Sequence, residues 1–367
     1  MHRRRFLAAG VASTALLGGC LEQAQEAQRV IENDDGEDSN EETSGDSGGD
    51  DGEEGGLRTV VDFEPASLPE NLAVNEDGDV YLGFRQVAGD AVASVRVLPA
   101  ARTTETDLTI EATEEVAELP AGGGGVTFAP DGEALYAVAN GEDTNAVYRI
   151  PAEGGDPTVV ASREEFTDFD AFPDGSAFLT DVFVEEDRLL VNETFGGTIF
   201  EVDLDDDGEK DKGAGGEDGE EGSGVSVWSN DPLFDAEGDS FAANGVAELD
   251  GDLLVANSTK GLVARVPVED DGEAGSPEIY VEDEALGGAD GITVRDEQLY
   301  VAVNGQNTIR RVSPSKEITT IAEGGVLDFP SDVIFGSDAT EEDLFVANFA
   351  VSSPEDGGGP RLLRTSV

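Results

Sequence analysis

One short pattern recurs six times along this chain, and no other feature limits its fold as tightly. Each copy runs through a strand-like stretch, turns at an Asp that is often followed by Gly, and resumes as a second apolar strand. Glu70-Asn71-Leu72-Ala73-Val74 leads to Asp77-Gly78 and Val80-Tyr81-Leu82, and Gly124-Gly125-Val126-Thr127-Phe128 leads to Asp131-Gly132 and Leu135-Tyr136. Thr180-Asp181-Val182-Phe183-Val184 leads to Asp187 and Leu189-Leu190-Val191, and Asn244-Gly245-Val246-Ala247 to Asp250-Gly251 and Leu253-Leu254-Val255. Asp290-Gly291-Ile292-Thr293-Val294 leads to Asp296 and Leu299-Tyr300-Val301, and Ser331-Asp332-Val333-Ile334-Phe335 to Asp338 and Leu344-Phe345-Val346. Successive copies begin 54, 56, 64, 46 and 41 residues apart.

A unit of this length holds several short strands and cannot bury its apolar faces alone, so such units stack. The expected fold is all-β: a six-bladed β-propeller over residues 57–367. Each blade is read as inner strand, Asp turn, second strand and an outer pair such as Thr198-Ile199-Phe200-Glu201-Val202. Leu57–Phe63 is expected to pair with the last blade near Arg361–Val367. That N-terminal strand closes the ring and removes the edges that invite aggregation.

Asn-Gly and Asp-Gly are themselves strong hairpin signals. Here the hairpin turn comes later, after the inner strand, so the first residue of each copy lies at the opposite strand end. In a propeller those ends converge on one mouth of the central channel. The first column reads Glu70, Gly124, Thr180, Asn244, Asp290, Ser331; the second reads Asn71, Gly125, Asp181, Gly245, Gly291, Asp332. Glu70, Asn244 and Asp290 together supply two negative charges and an amide oxygen, a hard-cation site with positions left for water or substrate.

Composition narrows the chemistry. The only His is His2 and the only Cys is Cys20, which excludes disulfides, His or Cys zinc sites and Ser-His or Cys-His catalysis. A metal would be held by oxygen, as Ca²⁺ or Mg²⁺, with Mn²⁺ possible. Against 82 Asp and Glu stand 21 Lys and Arg, a net charge of −61. No nucleic-acid partner is expected from that balance. With 38% hydrophobic residues the chain is too apolar to be a disordered acidic tail. A folded, acidic surface suits molar salt, where the Debye length is about 3 Å; a halophilic protein is expected.

Arg3-Arg4-Arg5-Phe6-Leu7 precedes an apolar run too short to span a bilayer, ending at Leu17-Gly18-Gly19-Cys20. Residues 1–19 read as a twin-arginine export signal with a lipobox, and Cys20 as the lipidated mature N-terminus. Residues 20–56 are an acidic tether rich in Asp, Glu, Gly and Ser. The expected location is extracytoplasmic, the protein anchored to the outer face of the cell membrane through the Cys20 lipid, as a monomer. Asp205–Gly224 is a second acidic run. Asp203, Asp205, Asp207 and Gly208 match the start of an EF-hand loop, but Ala214 stands where its bidentate Glu belongs, so a solvated loop is expected. Phe166–Leu179 reads as either an extra hairpin or a loop over one mouth.

Glu70 in Pro-Glu-Asn, Asn244 in Asn-Gly-Val and Asp290 in Asp-Gly-Ile resemble the senescence-marker-protein/gluconolactonase family of six-bladed propellers, which includes regucalcin. The resemblance spans about residues 65–350 and keeps the blade order: Glu in the first, Asn in the fourth, Asp in the fifth. It implies a divalent metal on the channel axis and hydrolysis of sugar lactones or related small esters. Glu70, Asn244 and Asp290 are then the metal ligands, and Asp290 is also the catalytic base. Asn71, Thr180, Asp181 and Asp332 are the candidate substrate contacts; Thr180 and Asp181 stand where the family carries a substrate-side Asn. The alternative functions are a non-catalytic propeller binding a small ligand or protein with a structural metal, and another propeller enzyme such as a strictosidine-synthase-like one.

Overall fold

The computed structural model of the chain describes residues 56–86, 93–120, 122–140, 146–167, 177–185, 187–204, 224–236, 241–350 and 359–367. The export signal, Cys20, the acidic tether, most of the Phe166–Leu179 stretch and the acidic run at 205–223 lie outside the described residues.

The chain enters with β1 (Arg58–Asp62) and builds blade one from β2 (Ser67–Val74), β3 (Val80–Gln86), β4 (Ser94–Leu98) and, past the short β5 (Leu108–Thr109), β6 (Glu114–Glu118). Blade two is β7 (Gly122–Phe128), β8 (Ala134–Asn140), β9 (Ala146–Pro151) and β10 (Thr158–Ser162), followed by a one-turn helix, α1 (Arg163–Thr167). Blade three is β11 (Leu179–Glu185), β12 (Arg188–Glu193), β13 (Thr198–Asp203) and β14 (Val225–Asn230). Blade four is β15 (Ala243–Leu249), β16 (Asp252–Asn257), β17 (Leu262–Val266) and β18 (Glu278–Glu282). Blade five is β19 (Ala289–Arg295), β20 (Gln298–Val303), β21 (Thr308–Val312) and β22 (Ile318–Glu323). Blade six supplies β23 (Pro330–Phe335), β24 (Asp343–Asn348) and β25 (Arg361–Ser366).

Blade six is completed from the other end of the chain. β1 pairs antiparallel with β25, Arg58 opposite Arg364 and Asp62 opposite Arg361, and β5 adds outside it in parallel. The ring closes as the sequence predicts, and for the expected reason: β25 would otherwise present a free edge.

The second strand of each blade is an almost unbroken apolar run because both its faces are covered by neighbouring blades. Leu253, Leu254, Val255 and Ala256 of β16 are each at most 2% exposed. Six apolar clusters result, one between each pair of adjacent blades. Leu82 and Phe84 of blade one meet Phe345 and Leu362 of blade six in one of them. The Asp250-Gly251 turn behaves as its residues demand. Asp250 and Gly251 sit at φ 56° and 84°, the two positive values of the tight turn that matches strand twist.

One feature of the inner strands is common to all six blades. Pairing with the second strand slips between Pro69 and Asn71, Gly123 and Val126, Leu179 and Val182, Ala243 and Val246, Ala289 and Ile292, and Pro330 and Asp332. Each slip is a β-bulge, one extra residue on the inner strand, which bends the strand and re-aims its side chains. The two columns read from the sequence fall on these bulges.

Candidate functional site

Below the bulges, the inner strands of all six blades enclose a channel cavity of about 310 Å³, lined by Asn71, Val126, Asp181, Val246, Ile292 and Asp332 among others. The bulges stand at its mouth. There the first-column residues of blades one, four and five each meet a partner on the second strand of their own blade or one residue past its end. Glu70 Oε1 is 3.1 Å from Arg85 Nη2. Asn244 Nδ2 donates to Ser258 Oγ at 3.2 Å, and Asn304 Nδ2 donates to Asp290 Oδ2 at 3.1 Å. The bonded pairs in blades four and five are both 14 residues apart; the antiparallel hairpin folds the chain back to the same level. Arg85, Ser258 and Asn304 form a third column that sequence reading missed, and counting about 14 residues onward from each site residue would have found it.

Electrostatics ties the three blades together. Asp290 is buried, and its carboxyl is held well above the usual carboxylate range, first by burial and then by the negative charge of Glu70. The Asn304 bond and the Arg85 guanidinium pull the other way. Burial also raises Glu70, and Arg85 lowers it. Asn244 lies beside Asp290 on the adjoining inner strand: a Cβ on Gly245 would stand 2.7 Å from the Gly291 Cα. Donating its Nδ2 to Ser258 leaves the Asn244 Oδ1 without a hydrogen bond among the described residues.

The second column lines the cavity and also has a structural task. A bulge leaves the N–H two residues after the first column without a strand partner, facing the channel. Asp332 bonds two of these, Leu72 N at 2.8 Å and Val333 N at 2.8 Å. Asp181 bonds two more, Val246 N at 3.0 Å and Val182 N at 2.9 Å. Asn71 Oδ1 accepts from Val126 N at 3.0 Å. Asp181, Asp332 and Asn71 thus staple blade three to four, six to one and one to two. Thr180 Oγ1 also crosses a boundary, donating to Ala243 O at 3.1 Å. All four residues read as substrate contacts hold the backbone of a neighbouring blade. Burial pushes the Asp181 carboxyl up to about 7 against the pull of its two N–H donors, and raises Asp332 well above the usual range.

Around the mouth stand five phenylalanines. Phe178 packs edge-on to Phe195 and Phe241, with centroids 5.8 and 5.3 Å away, and Phe329 lies beside Phe349 at 6.1 Å. Phe178 and Phe195 are set by Glu193, a fully buried carboxylate that accepts from Phe178 N and Phe195 N at 3.0 Å and Gly196 N at 2.6 Å. Burial raises its carboxyl to about 7 despite those donors.

No family model matches the chain, and no curated protein matches its sequence. Solved structures do match its fold. A calcium-binding regucalcin from Agrobacterium tumefaciens superposes with a TM-score of 0.57 at 14% identity, over 85% of this chain and 93% of that one. A gluconolactonase from Xanthomonas campestris gives 0.55 at 13%, over 84% and 88%. Its fold is that of the regucalcin-like propellers. The same fold carries other chemistry, since the quinone-bound aldose sugar dehydrogenase of Streptomyces coelicolor gives 0.54 at 15% identity, over 85% and 98%. The fold alone therefore leaves the chemistry open, and the residues of the mouth decide it.

Glu70, Asp290 and Asn244 fit a hard divalent cation in the chemistry of their donors, two carboxylates and an amide oxygen. Arg85, positively charged and at Glu70, marks the same place as one that calls for a cation. Among the described residues no three acidic, His or Cys side chains gather into a metal-holding group, so the amide of Asn244 is needed to complete the set.

Proposed function

We propose that this protein is a hydrolase of sugar lactones or related small esters that works with a bound divalent cation, Ca²⁺ or Mg²⁺, Mn²⁺ also being accommodated. The observation that carries the reading is the placement of two acids from different blades, the buried Asp290 and the partly buried Glu70, close enough at the channel mouth to repel one another, with Asn244 next to Asp290. Glu70, Asn244 and Asp290 would hold the ion. A cation so held polarises a carbonyl and stabilises the oxyanion that forms on it.

The chain's own residues prepare the rest. Ser258 fixes the Asn244 amide so that its oxygen is the free end. Asn304 bonds Asp290 and favours its ionised form, the form in which it can take a proton from water as general base. The phenylalanine rim, held by Glu193, offers apolar faces to a substrate ring and sheds water from the mouth. Asn71, Thr180, Asp181 and Asp332 serve the ring as staples.

The Arg85–Glu70 ion pair favours a second reading, a non-catalytic propeller that binds a small ligand or protein. A panel of lactones and esters, assayed at molar salt with Ca²⁺, Mg²⁺, Mn²⁺ or chelator, separates the two. Turnover that needs metal and disappears in Asp290→Ala supports the hydrolase; no turnover with any metal leaves the binder. Lipidation at Cys20 would set the protein, as a monomer, on the outer face of the cell membrane. Lipid labelling abolished by Cys20→Ala checks that placement, and labelling that persists in the variant rejects it.

A further inference from the structure

Arg85 stands where blades four and five carry the neutral side chains Ser258 and Asn304. Four blades hold its guanidinium. Nη2 is 3.1 Å from Glu70 Oε1 in blade one, and Nε donates to Gly123 O in blade two at 3.3 Å. Its carbon lies 5.2 Å from the ring centre of Phe178, leading into blade three, and 6.0 Å from that of Phe349 in blade six. The side chain is 11% exposed. This is a charged group built into the mouth, on one of the three residues that would hold a metal.

We infer that Arg85 is a resident counter-cation that competes with a divalent ion for Glu70 and has to step aside before the ion binds. The inference rests on the metal reading above. Glu70 and Asp290 are two acids in a partly desolvated mouth, and Arg85 balances the charge on Glu70. An ion entering on Glu70 would share that carboxylate with a guanidinium of like charge, so its binding must break the ion pair. Phe178 and Phe349 give the displaced group a second seat. Both rings are already within cation–π reach, and a guanidinium lying over them remains favourably placed after leaving the carboxylate. Metal entry and movement of Arg85 are then one event, and the unmodified protein binds divalent ions weakly.

The test is a calorimetric titration of Ca²⁺ into the wild-type chain, Arg85→Met and Arg85→Lys at fixed molar KCl, with thermal shift as a second readout. Arg85→Met should bind Ca²⁺ about tenfold tighter or more, while Arg85→Lys, which keeps the charge, should stay near wild type. Equal affinity in wild type and Arg85→Met would overturn the competition and leave the metal reading standing. No heat and no thermal shift in any of the three would remove both. Should Arg85→Met fail to fold, Arg85→Gln, neutral and still able to donate to Gly123 O, takes its place with the same expected gain.

Discussion

Gly291 of blade five and Asp332 of blade six pack against each other so closely that a Cβ on Gly291 would stand 2.6 Å from the Asp332 Cα. Gly125 and Asp181 repeat the relationship between blades two and three, at 2.7 Å. A Gly at the bulge of one blade thus makes room for the stapling Asp of the next. The two Asp residues lie three blades apart, on opposite sides of the ring.

That fit predicts a severe cost for the smallest possible change. Gly291→Ala and Gly125→Ala should each lose about 1–3 kcal/mol or more, since backbone must shift to admit a methyl. Gly305→Ala, at a site with nothing within 4 Å, should stay within about 0.5 kcal/mol of wild type. Denaturant titration at molar salt checks the contrast.

The staples should rank by the number of N–H groups they hold. Asp181→Ala and Asp332→Ala each leave two bulge N–H groups without a partner, whereas Asn71→Ala leaves one. Each orphaned donor costs about 1–3 kcal/mol. The expected order of destabilisation is Asp181 and Asp332 above Asn71, with the channel opening at the blade three–four and six–one boundaries in hydrogen exchange. Fast exchange confined to other boundaries would contradict the assignment.

Glu193 should give the stability curve a slope of known sign. Its carboxyl is raised from 4.5 to about 7 in the folded state, so the folded chain holds a proton that the unfolded chain releases. Its contribution is full below about pH 4.5 and is lost as pH rises to about 7, at about 1.4 kcal/mol per pH unit. Glu193→Gln, which cannot titrate, should lack that component. The difference between wild-type and variant unfolding free energies, followed from pH 4.5 to 8 at constant salt, should fall through that window and then flatten. Near-UV signals of the phenylalanine rim should stay close to wild type in the same variant, because the Gln amide oxygen can take the place of the oxygen that accepts from both Phe178 N and Phe195 N, and only Gly196 N loses its acceptor.

A net charge of −61 should make the fold depend on salt. Self-repulsion is screened as the Debye length falls from about 10 Å at 0.1 M to about 3 Å at 1 M. The Tm should rise steeply over that range of KCl. An unchanged Tm between 0.1 and 3 M would refute a halophilic surface.

The fold was legible in the sequence because a blade is a local object. Period-two apolar strands, an Asp turn and a second apolar strand lie within some twenty residues, and repeating them six times leaves little choice but a ring. The expectation that Glu70, Asn244 and Asp290 act together came from the same repeat, since equivalent positions in a ring share one mouth. The roles of Asn71, Asp181 and Asp332 were not legible. A bulge is a one-residue slip between paired strands, and nothing in the inner strand alone announces it. The bonds that answer it join residues far apart in the chain, as Leu72 and Asp332, 260 positions apart, illustrate.

Sequence by itself determined the number of blades, the closing strand and which residues could offer oxygen to a cation, because these depend on local pattern and on residue type. Only the tertiary structure decided that the second column staples the blades and that Arg85 rests on Glu70. Both depend on where side chains from different blades meet around a closed ring, a distance that no spacing along the chain encodes.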